Sequence, residues 1–239
     1  MCGPESGPER GKTLSGGKGR PLLLCASPRR GNSLLAAEIF ARELEAGKAG
    51  PGGVEEGCSL RPRLVRLDEF KVLPCVDCGA CSRPDLPNFP GPSALGADLA
   101  RVCPLAEQDD SPALFTALLE APLLLLSAPV YFYHLPARLK GLLDRVQAFY
   151  QLGLAGKLPA PRPRPAFVIL SGARPRGENL FKGALLTLKY ALPPLGLELR
   201  PPLLLYGLEG PRDLERDERA GQRVRAYAGE AGIFYNKAV

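Results

Sequence analysis

Apolar residues follow two rhythms along this chain. Short runs that are apolar but for a closing serine in the second and third, at residues 22–26, 123–127 and 166–171, alternate with longer stretches whose apolar positions recur with helical spacing. A run that is apolar on both faces suits a strand inside a parallel sheet, where helices cover both sides. The turn Ser27-Pro28-Arg29-Arg30-Gly31-Asn32-Ser33 follows the first run. A helical pattern over 34–44 comes next, with Asn32 or Ser33 predicted as its N-cap. Residues 60–67 alternate Leu-Arg-Pro-Arg-Leu-Val-Arg-Leu and read as an edge strand, where Pro62 is tolerable. Further helices are predicted from the acidic start at Asp109-Asp110-Ser111-Pro112 to about residue 120, then over 136–150, 179–192 and 213–234, with the last strand inside 197–206. No internal repeat is present.

This alternation predicts an α/β fold: a doubly wound, five-stranded parallel sheet of order 2-1-3-4-5. A cysteine-rich insertion at 71–108 interrupts it. In such sheets ligands bind beyond the carboxyl ends of the strands, at the switch point between strands 1 and 3. The loops that meet there are 27–33, 128–135 and 171–178. Residues 1–20 read as a disordered leader, and 21–239 as one ligand-binding domain. Within the leader, Gly11-Lys12-Thr13 resembles the end of a phosphate loop, but Ser6 stands where the first glycine should be and no strand precedes it.

Composition narrows the chemistry. The chain has 239 residues, a net charge of +6, 27 Gly and 26 Pro. Its single histidine, His134, excludes a three-histidine zinc site within one chain and leaves one candidate for any Ser-His-Asp arrangement. The basic residues are dispersed, without the concentrated stripe that nucleic-acid binding needs, so no nucleic-acid partner is expected. No apolar run approaches the ~20 residues of a membrane span, so no membrane partner is expected. Seven cysteines, an odd number in a chain of this length, do not read as a secreted disulfide framework, and a cytoplasmic location is the expectation.

The three loops carry unusual chemistry. Ser27, Arg29, Asn32 and Ser33, with free N–H groups at a helix start, form the donor set a phosphate monoester needs, though an ordinary capped turn has the same letters. Three adjacent aromatics, Tyr131, Phe132 and Tyr133, follow the buried third strand; they suit a flat ligand or a subunit contact. His134 could be a proton donor, though it reads more simply as a polar rim residue, and Asp109-Asp110 read as helix capping rather than an acid–base pair. Asp144 and Arg145 read as a structural ion pair or packing feature near the helix end.

Together these features resemble the flavodoxin-like NAD(P)H-dependent FMN reductase family, and most nearly its iron-sulfur flavoprotein branch. The similarity rests on SPRRGNS, on PVYFYHLPARLKGLLDR and on Pro74-Cys75-x-x-Cys78-x-x-Cys81 with a later Cys103 before Asp109-Asp110, over roughly residues 21–205. The resemblance implies noncovalent FMN, its phosphate held by Ser27, Arg29, Asn32 and Ser33. It places Pro129, Val130, Tyr131 and Phe132 along the ring, with Ser171, Gly172 and Ala173 contributing from the third loop. It also implies an oxidoreductase in which flavin N5, not a protein acid or base, carries the chemistry. NAD(P)H is the implied donor, with a small-molecule acceptor or redox protein beyond it, and a homodimer or homotetramer as the assembly.

Cys75, Cys78, Cys81 and Cys103 could supply four thiolates to a [4Fe–4S] cluster, and four thiolates equally suit zinc. The 21 residues between Cys81 and Cys103 exceed the gap in the iron-sulfur flavoproteins. Two alternatives therefore stand beside the cluster-bearing reading. One is a cluster-free reductase of quinones, nitro compounds or free flavin. The other is a zinc-stapled interaction module on a flavodoxin scaffold. Cys2, Cys25 and Cys58 read as incidental, with Cys25 a small buried hydrophobe.

Overall fold

The structure, a computed structural model, describes residues 14, 19–47 and 61–238. Most of the predicted leader, its Gly-Lys-Thr sequence, the glycine-rich stretch near residue 50, Cys2 and Cys58 lie outside the described residues.

Every strand pairing is parallel, and the order is β2-β1-β3-β4-β5. β1 (Leu22–Cys25), β2 (Arg63–Arg66), β3 (Leu124–Pro129) and β4 (Arg164–Ser171) are single elements. The predicted last strand is split. β5 (Leu197–Leu199) pairs with the start of β4, and β6 (Leu203–Leu205) pairs with its end. Pro201 and Pro202 lie between them, and a proline cannot donate to the ladder.

Alternation along the strands divides the core into two layers. Leu23, Leu125, Phe167 and Ile169 face α1 (Asn32–Ala46) and α8 (Glu218–Ala238). Leu22, Leu24, Leu126 and Val168 face α3 (Ser111–Glu120), α4 (Ala137–Asp144), α5 (Gln147–Leu154) and α6 (Lys182–Ala191). The single helix expected over 136–150 is thus two, α4 and α5. The final helix is likewise divided into α7 (Asp213–Arg216) and α8, separated by Asp217.

The cysteine segment is more ordered than its Pro-rich composition suggests. It contains α2 (Pro92–Ala97) and three one-turn 3-10 segments, Ala80–Ser82, Leu99–Arg101 and Pro104–Glu107. Leu86, Phe89, Leu95, Leu99, Val102 and Ala106 are buried in the same core layer as α3 to α6. The segment therefore builds part of the core. Gly96 allows the close approach of α2 to α3, because a Cβ there would lie 2.7 Å from Leu119 Cδ1.

Candidate functional site at the carboxyl edge of the sheet

The three predicted loops meet at the carboxyl ends of β1, β3 and β4, and buried serines join them. Ser127 Oγ donates to the Ser33 carbonyl at 2.7 Å, and Ser33 Oγ lies 3.0 Å from Ser171 Oγ. The Val130 N–H donates to the Ser171 carbonyl at 2.8 Å. Ser33, Ser127 and Ser171 are all buried, so each hydroxyl must find a partner inside the protein. The sequence reading assigned Ser33 to a phosphate; in the structure its hydroxyl ties the loops together.

Two other predicted phosphate ligands have internal partners as well. Ser27 Oγ donates to the Arg29 carbonyl at 2.7 Å and so shapes the turn. Asn32 Nδ2 donates to the Gly210 carbonyl at 2.7 Å, and its Oδ1 accepts from the Leu214 N–H at 3.0 Å. Asn32 thus fastens the start of α1 to the start of α7. Neither Asn32 nor Ser33 is the N-cap. That position is Gly31, in extended backbone, and no side chain caps the helix. The N–H groups of the first turn of α1 therefore lack intrahelical acceptors, and a helix end of this kind favours an anion. Arg29 and Arg30 are exposed beside it.

The second loop is a tight turn. The N–H groups and carbonyls of Tyr131 and His134 bond reciprocally at 2.9 and 3.0 Å. Between them Phe132 and Tyr133 take φ of 47° and 65°. Two positive φ values in a two-residue hairpin describe a type I′ turn, which favours Asn-Gly and is strained for aromatics. Phe132 is fully exposed at the tip. Neighbours brace the turn from three sides. His134 Nε2 lies 3.1 Å from Thr187 Oγ1, and Arg174 sits 5.5 Å over the Tyr133 ring. Gly183 of α6 passes so close that a Cβ there would lie 2.9 Å from the Tyr133 carbonyl. His134 is half-buried and held on α6, not a free rim group.

Beside these loops opens a cavity of about 780 Å³. It begins at Ala26 and Pro28, is walled by Tyr131 and by Arg138 and Gly141 of α4, and is closed by Asp68, Val72 and Pro74 from the chain beyond β2. Its size falls within the range of ordinary ligand sites. Asp68 holds two features there. Arg66 pairs with Oδ2, whereas among the described residues the buried Oδ1 has no hydrogen-bond partner, so its acceptor capacity is unspent there. Arg138 Nη1 donates to the Asp68 carbonyl at 2.6 Å and fixes the segment.

Of the predicted cofactor residues, Tyr131 lines this cavity. Pro129 and Val130 are half-buried behind it, and Ser171 and Gly172 are buried. The Gly172 N–H donates to the Leu205 carbonyl and its carbonyl accepts from Leu208, so Gly172 extends the sheet; Ala173 is the exposed member of the trio. The sequence reading missed Asp68, Arg138, Thr187, Arg174 and Gly183. A faint signal existed for Arg138, in the stretch that carries the family resemblance.

A model of the NADPH-dependent FMN reductase family matches residues 20–180. The chain belongs to that family. This FMN reductase homologue has no match among curated protein sequences. Solved structures share its fold at low identity. The NAD(P)H:quinone oxidoreductase of Methanothermobacter marburgensis is 17% identical with a TM-score of 0.53, covering 89% of this chain and 94% of its own. RosB with bound 8-demethyl-8-formylriboflavin-5′-phosphate is 14% identical with a TM-score of 0.56, covering 91% and 79%. An FMN-dependent NADH-azoreductase of Bacillus anthracis, in complex with FMN, is 13% identical with a TM-score of 0.53, covering 89% and 99%. In this reductase the strand order is that of a doubly wound, flavodoxin-like sheet.

The cysteine cavity lies next door. Cys75, Cys78, Cys81 and Cys103 all line one pocket of about 100 Å³, with Arg145 and part of α5. Among the described residues, however, no three His, Cys, Asp or Glu are placed to hold one metal ion. The sulfurs share a pocket without forming a ligand set, so neither the [4Fe–4S] nor the zinc expectation finds its coordination geometry. Arg145 explains the floor of this pocket. It is not paired with Asp144, as expected, but forms a buried ion pair with Asp109, while Asp144 pairs with Lys140. Asp109 also accepts from the Leu73 N–H at 2.8 Å and from Ser111 Oγ at 2.7 Å. It accepts from the Ser111 N–H at 3.1 Å as well, but the N-cap position of α3 is Asp110 and no side-chain cap bond forms there, so the expected capping is not made; the buried charge of Asp109 is shared with the cysteine segment instead.

Proposed function

We propose that this chain binds FMN at the carboxyl edge and uses NADPH or NADH to reduce a small planar acceptor such as a quinone, a nitro compound or free flavin. The observation that carries the reading is the uncapped N-terminus of α1, a few residues along the first loop from Pro28 in the lining of a cavity of about 780 Å³, in a chain whose residues 20–180 match the FMN reductase family. FMN, when bound, supplies the acceptance and redelivery of hydride.

The residues present fit that cofactor. The first-turn N–H groups of α1, with Arg29 and Arg30, suit the phosphate. Asp68 Oδ1 offers an acceptor to a hydroxyl or ring N–H, and the Tyr131 ring offers a flat apolar wall. Ser27, Asn32, Ser33 and Ser171 act behind this surface, holding the three loops at fixed separation. Pro129, Val130 and Phe132 set the path of the aromatic turn, which shields the cavity from solvent. No protein proton donor is assigned. A [4Fe–4S] cluster on Cys75, Cys78, Cys81 and Cys103 is not part of this reading, because among the described residues its ligand geometry is not assembled. We read the working unit as a soluble homo-oligomer in the cytoplasm.

The test is direct. Protein reconstituted with FMN should show bound-flavin absorbance that NADPH or NADH bleaches under anaerobic conditions. Arg29→Ala with Arg30→Ala should weaken FMN roughly tenfold or more, with riboflavin binding unaffected, because phosphate contacts are charge-assisted. Equal loss for FMN and riboflavin would reject the phosphate assignment, and failure to bind flavin at all would reject the function.

A further inference from the structure

The reductase reading leaves four thiols unused in one pocket, and they differ in setting. Cys75 and Cys78 are exposed at its mouth. Cys81 and Cys103 are half-buried, and both pack against the main core. Cys81 sits on the 3-10 turn Ala80–Ser82, held against α5. Cys103 is fixed by its N–H, which donates to the Leu99 carbonyl at 2.8 Å, and by Arg145 Nη2, which donates to its sulfur at 3.4 Å. Arg145 is itself locked by Asp109. Cys81 and Cys103 both line the same pocket of about 100 Å³, whose small size keeps them near one another. The pocket also adjoins the carboxyl-edge cavity, since Pro74 lines one and Cys75 the other.

We propose that this pocket is a thiol–disulfide exchange site, in which Cys81 and Cys103 form the working pair and a low-molecular-weight disulfide is the co-substrate. In the first step the Cys103 sulfur attacks the small disulfide; a mixed disulfide forms and one small thiol leaves. In the second, the Cys81 sulfur attacks the Cys103 sulfur of that mixed disulfide. The Cys81–Cys103 bond forms and the second small thiol leaves. One S–S bond is broken and one made, and the two protons lost by the cysteines end on the two released thiols. The electrons lost by the protein pair reduce the small disulfide, so no further oxidant is needed. The exposed Cys75 and Cys78 mark the entrance. The Arg145–Cys103 contact holds the first sulfur in place, and a cation at that sulfur runs against its service as a metal ligand. This site stands independently of the FMN assignment.

The experiment uses the full chain, reduced, desalted without oxygen and analysed for iron and zinc. Oxidised glutathione is then added, free thiols are counted by alkylation, and cross-linked peptides are identified by mass. The expected result is less than a tenth of an equivalent of either metal, with a Cys81–Cys103 cross-link that reduced glutathione reverses. Cys81→Ser should arrest the reaction with glutathione attached to Cys103, while Cys75→Ser with Cys78→Ser should leave the cross-link intact. A cross-link confined to Cys75 and Cys78, four thiols that stay free, or one equivalent of zinc or an iron cluster per chain would each overturn the proposal. None of these readouts depends on flavin.

Discussion

The two faces of the sheet solve the burial problem in different ways. The α1–α8 layer is an apolar stack in which Phe40, Phe167 and Tyr227 meet ring against ring at 5.1 to 6.3 Å. Its central polar group is the Tyr227 hydroxyl, which donates to the Pro201 carbonyl at 2.8 Å and accepts from the Val168 N–H at 3.1 Å. The opposite layer buries full charges. Asp109 and Arg145 are paired there, and Arg164 spends its guanidinium on the carbonyls of Leu118, Ala121 and Leu195. Both cavities open on this second layer. One face of the sheet thus supplies ordinary stability, and the other holds a fixed polar framework around the chemistry. A buried charge stabilises little on its own and becomes costly when its partner goes.

That contrast predicts a graded set of effects. Asp109→Ala should be the most damaging single change, costing about 3–5 kcal/mol in urea unfolding because Arg145 is left buried and unpaired. Its loss should also release the glutathione reactivity of Cys103 from any preference for Cys81. Equal cost from Asp144→Ala would show that the charge pair had been misassigned.

On the apolar face, burial pushes the Tyr227 hydroxyl up from 10 to about 12. A raised folded-state value means the folded protein keeps its proton while the unfolded chain loses it. Stability should therefore be intact below pH 10 and fall as pH rises toward 12, by roughly 1–3 kcal/mol. Tyr227→Phe should flatten that slope while lowering stability at pH 7 by about 1–3 kcal/mol, since two backbone groups lose a partner. A slope unchanged by Tyr227→Phe would sink the assignment.

Next comes the rim. Gly183→Ala should cost about 1–3 kcal/mol and displace the aromatic turn, because its Cβ would meet the Tyr133 carbonyl at 2.9 Å. FMN affinity should fall with it. The smallest effect has the opposite sign. Replacing Phe132→Asn together with Tyr133→Gly suits the positive φ values and should raise stability by about 1 kcal/mol while weakening acceptor reduction. A thermal melt and a reductase assay on the same variant would show whether the strain is kept for function.

Much of this architecture is legible in the sequence. The runs at β1, β3 and β4 are apolar on both faces, and their spacing dictates a parallel, doubly wound sheet. The three loops at its carboxyl edge follow from that order, and the family resemblance from their letters. Residue roles within the loops are less legible, because Ser33 and Asn32 have the same side chains whether they bind phosphate or staple the fold. Only tertiary position distinguishes these roles, through partners such as Ser171 and Gly210 that are remote in the chain. The Asp109–Arg145 pair was hidden for the same reason. Asp144 is adjacent to Arg145 in sequence, but on a helix i and i+1 point apart, whereas Lys140 lies one turn away from Asp144. The cysteine spacing advertised a cluster, yet spacing fixes only reach. Where the sulfurs point is set by Gly79 at φ 71°, by Asp77 at φ 51° and by the packing of α5.

Asn32 bonds to Gly210 and Leu214, across 178 and 182 residues of chain. The first loop thus depends for its final shape on residues far downstream of it in the chain. Until α7 has emerged, the Asn32 amide has no Gly210 carbonyl or Leu214 N–H to bind, so a nascent chain carries the loop's letters without its form. A fragment ending at residue 180, where the family match stops, would contain all three loops and still lack the clasp that sets the first.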